Sequence, residues 1–176
     1  LHALRERGVE YVEVRCMDLD PFEPVGINEQ TMRFLDVFLL HCLLTESPPD
    51  TPQEISALGR NQLRAASRGR EPGLMLERGA GQIPLVDWSL QLLAECEPAA
   101  AALDALHGGD RYREALADGR RVIGDPDRAP SARVLDTVTR DFDESYLAFI
   151  RAQSMQTRKA LLALPALEVL AWIGAR

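Results

Sequence analysis

The stretch Tyr11-Val12-Glu13-Val14-Arg15-Cys16-Met17-Asp18 constrains this chain most, because it is the one run that reads as a β-strand in a sequence otherwise built of helical patterns. Side chains alternate across a strand with a period of two. Val12, Val14 and Cys16 therefore share an apolar face, and Tyr11, Glu13, Arg15 and Met17 share the opposite one. The first face should pack on helices. The second sets a carboxylate beside a guanidinium and should face a cavity or water.

A single strand has no ladder partner, and its backbone groups would be orphaned on burial. The chain also opens at Leu1 rather than Met, with Leu1 to Arg7 reading as the last turns of a helix and Gly8 as its C-cap. Together these features suggest the later part of a longer protein whose sheet lies mostly upstream.

The 176 residues suffice for one domain with a sizeable core. Only 6% are aromatic, so Leu and Ala carry the interior, which favours helices. A net charge of −7 argues against a general nucleic-acid surface. Cys16, Cys42 and Cys96 are far apart with no CxxC pair, and read as buried thiols in a reducing compartment rather than metal ligands. No run is apolar over about 18 residues, so no membrane partner is expected, and the protein should be soluble and cytoplasmic.

In chain order, Asp18–Gly26 is a Pro-rich loop, and Asn28 should cap a helix over about 29–45 whose second half is apolar nearly all round, as in a central buried helix. His41 inside it reads as a core histidine bonded to a backbone carbonyl. Thr51-Pro52-Gln53-Glu54 is a capping box opening a helix that Gly69 ends. Arg60, Arg64 and Arg68 form one stripe on that helix, followed by Arg70. The stripe is either paired with acids or a basic wall for an anionic ligand. Residues 72–81 form a turn-rich connector that admits a short strand. A helix over about 85–106 should be kinked or divided by Pro98. Asp110 should cap a helix through about Val122, with further helices over 132–139 and 143–164 and a last turn between Pro165 and Ile173. No Gly-rich phosphate loop and no Ser/His/Asp or Cys/His constellation is present. The predicted class is mainly α, a helical lobe carrying one strand.

Glu13 and Arg15 on one strand face admit two readings. They can form an exposed ion pair, which contributes little. Alternatively, the carboxylate gives a hard oxygen to Mg²⁺ while the guanidinium holds the phosphate that the metal also touches. Phosphoryl transfer needs such charges held in place.

The run Gly8 to Phe22, continued by Pro24-Val25-Gly26-Ile27, Glu29-Gln30 and Arg33-Phe34-Leu35-Asp36, closely resembles the bacterial (proteobacterial-type) glutamate–cysteine ligases. The likeness returns at Asn61, Arg64, Gly69-Arg70, Pro72-Gly73-Leu74 and Ser131-Ala132-Arg133-Val134-Leu135. That family joins the γ-carboxylate of L-glutamate to the amine of L-cysteine with ATP, through a γ-glutamyl phosphate, in the first step of glutathione synthesis. The resemblance implies an α+β fold like that of glutamine synthetase, in which a curved antiparallel sheet forms a funnel with helices outside. Residues 1–176 would be the C-terminal, mostly helical part of that single catalytic domain, with the sheet mostly upstream.

The resemblance further implies that Glu13 is a Mg²⁺ ligand and that Arg15 is the catalytic contact to the transferring phosphate of ATP. The remaining metal ligands and the cysteine-binding residues would lie on the upstream part of the same polypeptide, so the isolated chain should lack ligase activity. Two other expectations compete. One is a non-catalytic helical interaction module, derived from the ligase, that binds a partner through its strand edge. The other is a structural lobe with Glu13 and Arg15 as a simple ion pair.

Overall fold

The computed structural model describes residues 2–15 and 17–164. Local chemistry sets most of its element boundaries. Gly8, with φ +77°, follows the short helix α1 (His2–Arg7) in the left-handed conformation that glycine tolerates best. Helix α2 (Glu29–Leu44) begins where the Thr31 N–H donates to Asn28 Oδ1 at 2.8 Å. Helix α3 (Pro52–Arg68) begins where the Glu54 N–H donates to Thr51 Oγ1 at 3.2 Å, with Pro52 in the first turn.

A hairpin follows, β1 (Met75–Arg78) antiparallel to β2 (Gly81–Pro84), with Leu76 opposite Ile83 and Glu77 opposite Gln82. Its two-residue turn places Gly79 at φ +58°. The remaining elements are α4 (Leu85–Glu95), α5 (Glu97–His107), α6 (Arg111–Gly124), a 3₁₀ turn at Pro126–Arg128, α7 (Pro130–Asp141) and α8 (Tyr146–Leu162). Among the described residues, no helix is long and apolar enough to cross a membrane.

The main core lies where α2, α4, α5 and α6 meet. Val37, Leu93, Cys96, Ala99, Ala100 and Leu116 are buried there, with Phe34, Phe38, Tyr112 and Ile123 packed around them. Ala99 and Ala100 offer little bulk, which lets α5 lie close against its neighbours. A second cluster is aromatic. Phe149 of α8, 1% exposed, meets Phe22 at 5.8 Å, Phe142 at 5.7 Å and Tyr146 at 6.2 Å between ring centroids. This cluster ties α8 to the loop after residue 20.

Several expectations are corrected. The paired strands are β1 and β2, in the connector that admitted a short strand. The run Tyr11–Asp18 belongs to no ladder among the described residues. Val12 and Val14, expected to pack on helices, are exposed. The reason is the one that made a lone strand suspect: without a neighbouring strand, an extended run has neither hydrogen-bond partners nor a sheet to hold its apolar face inward. Helix α2 is not buried all round, since Leu43 and Leu44 at its end are 80% and 74% exposed. Cys42 is exposed, whereas Cys96 is buried as expected and its thiol pKa is raised by that burial. Cys16 and the expected last turn between Pro165 and Ile173 lie outside the described residues. The helix expected over 85–106 is divided at Cys96, and Pro98 sits in the first turn of α5, where its missing N–H is tolerated. The His41 ring lies 3.4 Å from Thr45 Oγ1 and 3.8 Å from the Glu95 carboxylate.

The start of α6 is held from a distance. Asp110 makes no side-chain capping bond. Asp104 of α5, only 3% exposed, accepts the Tyr112 N–H at 2.8 Å, the Arg113 N–H at 3.2 Å and Arg113 Nε at 2.9 Å. Burial by itself pushes this carboxyl pKa up, but the two amides and the guanidinium outweigh it and hold it below its ordinary value. A carboxylate whose folded pKa is depressed stabilises the fold above its unfolded pKa, and that contribution is lost as pH falls through the folded pKa. Asp104→Ala should therefore lower stability by about 2–3 kcal/mol at neutral pH, through the stranded helix N–H groups and the lost charged bond. Urea unfolding of this chain checks it. The deficit should shrink in acid, and a deficit that does not change with pH would remove the carboxylate charge from the account.

Candidate active site

Asp20 to Gly26 form a closed loop between the Glu13/Arg15 segment and α2. The Asp20 N–H donates to the Gly26 carbonyl at 2.9 Å, the Glu23 N–H to the Asp20 carbonyl at 3.1 Å, and the Gly26 N–H to the Glu23 carbonyl at 3.1 Å. Gly26 has φ +77°, and a Cβ there would sit 3.1 Å from Leu19 Cδ2, so glycine fits the closure on both counts. The Asp20 side chain is buried. Its Oδ1 accepts the Phe22 N–H at 3.0 Å and its Oδ2 accepts Arg133 Nη1 at 3.1 Å. The Arg133 guanidinium also lies over the Phe22 ring, 4.5 Å from its centroid.

Glu13 and Arg15 project together, as the period-two reading expects. Arg15 Nη2 donates to Glu13 Oε2 at 2.7 Å, and the two side chains are 79% and 54% exposed. A pair this exposed contributes little to stability. Arg15, Asp18 and Asp20 line one side of an open cleft of about 1280 Å³. Asn28 at the start of α2, Arg70 just beyond α3 and Asp118 of α6 line other parts of it. Arg70 is loosely paired with the exposed Asp127, at 3.8 Å.

The arginine stripe of α3 is paired with acids. Arg60 and Arg64 lie 2.5 Å and 3.0 Å from the Glu77 carboxylate on β1, and Arg68 lies 2.5 Å from Glu71. The Arg60 hydrogen bond, foremost, holds the Glu77 carboxyl below its ordinary pKa. Asn61 fastens the same two elements. Its amide donates to the Glu77 carbonyl at 2.7 Å and accepts the Glu77 N–H at 2.8 Å, imitating one rung of a sheet. Of the two readings of the stripe, the paired helix face is the one realised.

Glu13 offers a hard carboxylate oxygen suited to Mg²⁺. A single carboxylate gives one of the several oxygens that Mg²⁺ takes. Among the described residues, no group of three or more His, Cys, Asp or Glu could hold a metal ion. The Asp20–Arg133 bond, joining residues 113 apart, was not anticipated. Each partner stood in a motif of its own, but no local spacing relates them.

Comparison with known proteins agrees with the sequence reading. Residues 1–65 match the family described as glutamate-cysteine ligase. The glutamate–cysteine ligase of Azotobacter vinelandii is 44% identical over 165 residues, 94% of this chain and 31% of that protein. The one from Hahella chejuensis is 41% identical over 169 residues, 94% of this chain and 32% of that protein. The crystal structure of the Francisella tularensis glutamate–cysteine ligase, in complex with AMP, superposes with a TM-score of 0.82 at 32% identity. That match covers 96% of this chain and 33% of the other. The chain thus spans about a third of the length of the relatives it matches.

Proposed function

We infer, from this chain's kinship with the glutamate–cysteine ligases, that residues 1–176 are the C-terminal, mostly helical part of a single ligase catalytic domain. The whole enzyme joins the γ-carboxylate of L-glutamate to the amine of L-cysteine with ATP, in the cytoplasm, as the first step of glutathione synthesis. The observation that carries this reading is the Glu13/Arg15 pair, set two residues apart in the most family-like stretch, with Arg15 beside an open cleft.

In this reading Arg15 is the catalytic residue. Its planar fork of N–H donors matches a transferring phosphoryl group and neutralises the charge that builds on its oxygens. In the structure that fork rests on Glu13, so the two charges are already gathered before substrate arrives. Glu13 would give one carboxylate oxygen to Mg²⁺, which draws charge from the ATP phosphates when bound. The upstream part of the polypeptide would provide the further carboxylates and the cysteine-binding residues.

The test is an assay of the full-length protein for phosphate release from ATP in the presence of glutamate, with and without cysteine. Release coupled one-to-one to γ-glutamylcysteine is expected. Absence of the dipeptide when all three substrates are present would overturn the assignment. It would favour the non-catalytic interaction module instead.

A further inference from the structure

We propose that Arg133 is a positioning residue for Arg15, acting through Asp20. The proposal rests on the reading of Arg15 as the phosphoryl contact and adds a support 118 positions further along the chain.

The segment carrying Arg15 is exposed and belongs to no ladder among the described residues, and the bond from Arg15 to Glu13 stays within that segment. Asp20 is where the segment meets the helical body. It is 6% exposed, and four hydrogen bonds converge on it: two on its carboxylate, from the Phe22 N–H and Arg133, and two on its own backbone. Arg133 secures the same point twice, by its bond to Asp20 and by stacking on Phe22, which in turn leans on the buried Phe149.

Arg133 stands in the first turn of α7, which packs against the 3₁₀ turn and α8, and its own side chain is half exposed. Its bond to Asp20 and its contact with the Phe22 ring are the means by which it acts on the segment carrying Arg15. Arg15 lies five positions before Asp20, at most about 17 Å of extended chain. At that length a tilt of about 4° at the anchor moves Arg15 by about 1 Å. A 1 Å misplacement of a catalytic group lowers rate by about 100-fold. Ladder partners from the upstream polypeptide share the restraint, so a loss of about 10-fold is expected on removing Arg133 alone.

The experiment uses the full-length ligase containing this chain. Arg133→Ala should lower kcat by about 10-fold while KM for ATP stays within about 2-fold, because the anchor orients the reacting guanidinium without binding nucleotide. Arg133→Lys should fall between, keeping the charge opposite Asp20 but losing the fork and the stacking. In an Arg15→Lys background the further loss from Arg133→Ala should shrink below about 3-fold, since the placement of the fork no longer sets the rate. If Arg133→Ala leaves too little folded enzyme, Asp20→Asn, which keeps an acceptor for the Phe22 N–H, carries the same comparison.

An unchanged kcat in folded Arg133→Ala, or a full multiplicative loss in the Arg15→Lys background, would overturn the proposal. If Arg15→Ala itself leaves kcat unchanged, the reading of Arg15 fails, and it is distinguished from a failure confined to Arg133.

Discussion

Arg15→Ala in the full-length protein is expected, on the proposed reading of Arg15 as the phosphoryl contact, to reduce ligase turnover by about 10³-fold, the scale on which a guanidinium stabilises a phosphoryl-transfer transition state. The fold should not register the change. The Arg15 side chain is 79% exposed and its partner is the exposed Glu13, so little packing and little ion-pair stability are lost. Thermal unfolding of the variant should match the parent within about 2 °C, as for a surface substitution. Arg15→Lys should recover only part of the rate, because an ammonium keeps the charge but not the bidentate geometry. Steady-state kinetics with glutamate, cysteine and ATP measure all three enzymes. Near-parental turnover in Arg15→Ala would take Arg15 out of the mechanism.

The second large effect concerns the 176-residue chain purified alone. Its phosphate release from ATP, with glutamate and cysteine present, is expected to match a protein-free blank. Mg²⁺ binds through several oxygens in near-octahedral geometry and is held by carboxylates together with substrate phosphates. On the proposed reading Glu13 would supply one such oxygen, and the described residues hold no cluster that would supply the rest. The arm carrying Glu13 and Arg15 also lacks a neighbouring strand among the described residues, so the two charges are not held at the precision catalysis requires. Far-ultraviolet circular dichroism should still report a helical protein, because the core of α2, α4, α5 and α6 is built within this chain. Turnover approaching that of the full-length enzyme would show that the arm and Glu13 suffice, and the division of the site between two parts of the polypeptide would be wrong.

Short-range features could be read directly from the amino acids. Asn28 and Thr51 cap helices because a side-chain oxygen meets an amide three residues on, an interaction contained within a few positions. Glu13 and Arg15 share a side because extended backbone alternates. The family likeness was legible for the same reason, in contiguous motifs of the first 75 residues. The pairing of the α3 stripe needed more, since Glu77, the carboxylate that neutralises Arg60 and Arg64, lies on a hairpin strand 13 or more residues away.

What the sequence determined by itself was therefore the helical class, most helix starts, the common direction of Glu13 and Arg15, and the kinship with the ligases. Only the tertiary structure decided that Arg133 secures Asp20 across 113 residues, that Asp104 rather than Asp110 caps α6, and that Tyr11–Asp18 stays outside any ladder among the described residues. The physical reason is the range of the forces involved. Capping and side-chain alternation close over a few residues and follow from local residue types. A buried carboxylate finds its donors, and a strand its neighbour, only when packing brings distant segments within hydrogen-bonding reach.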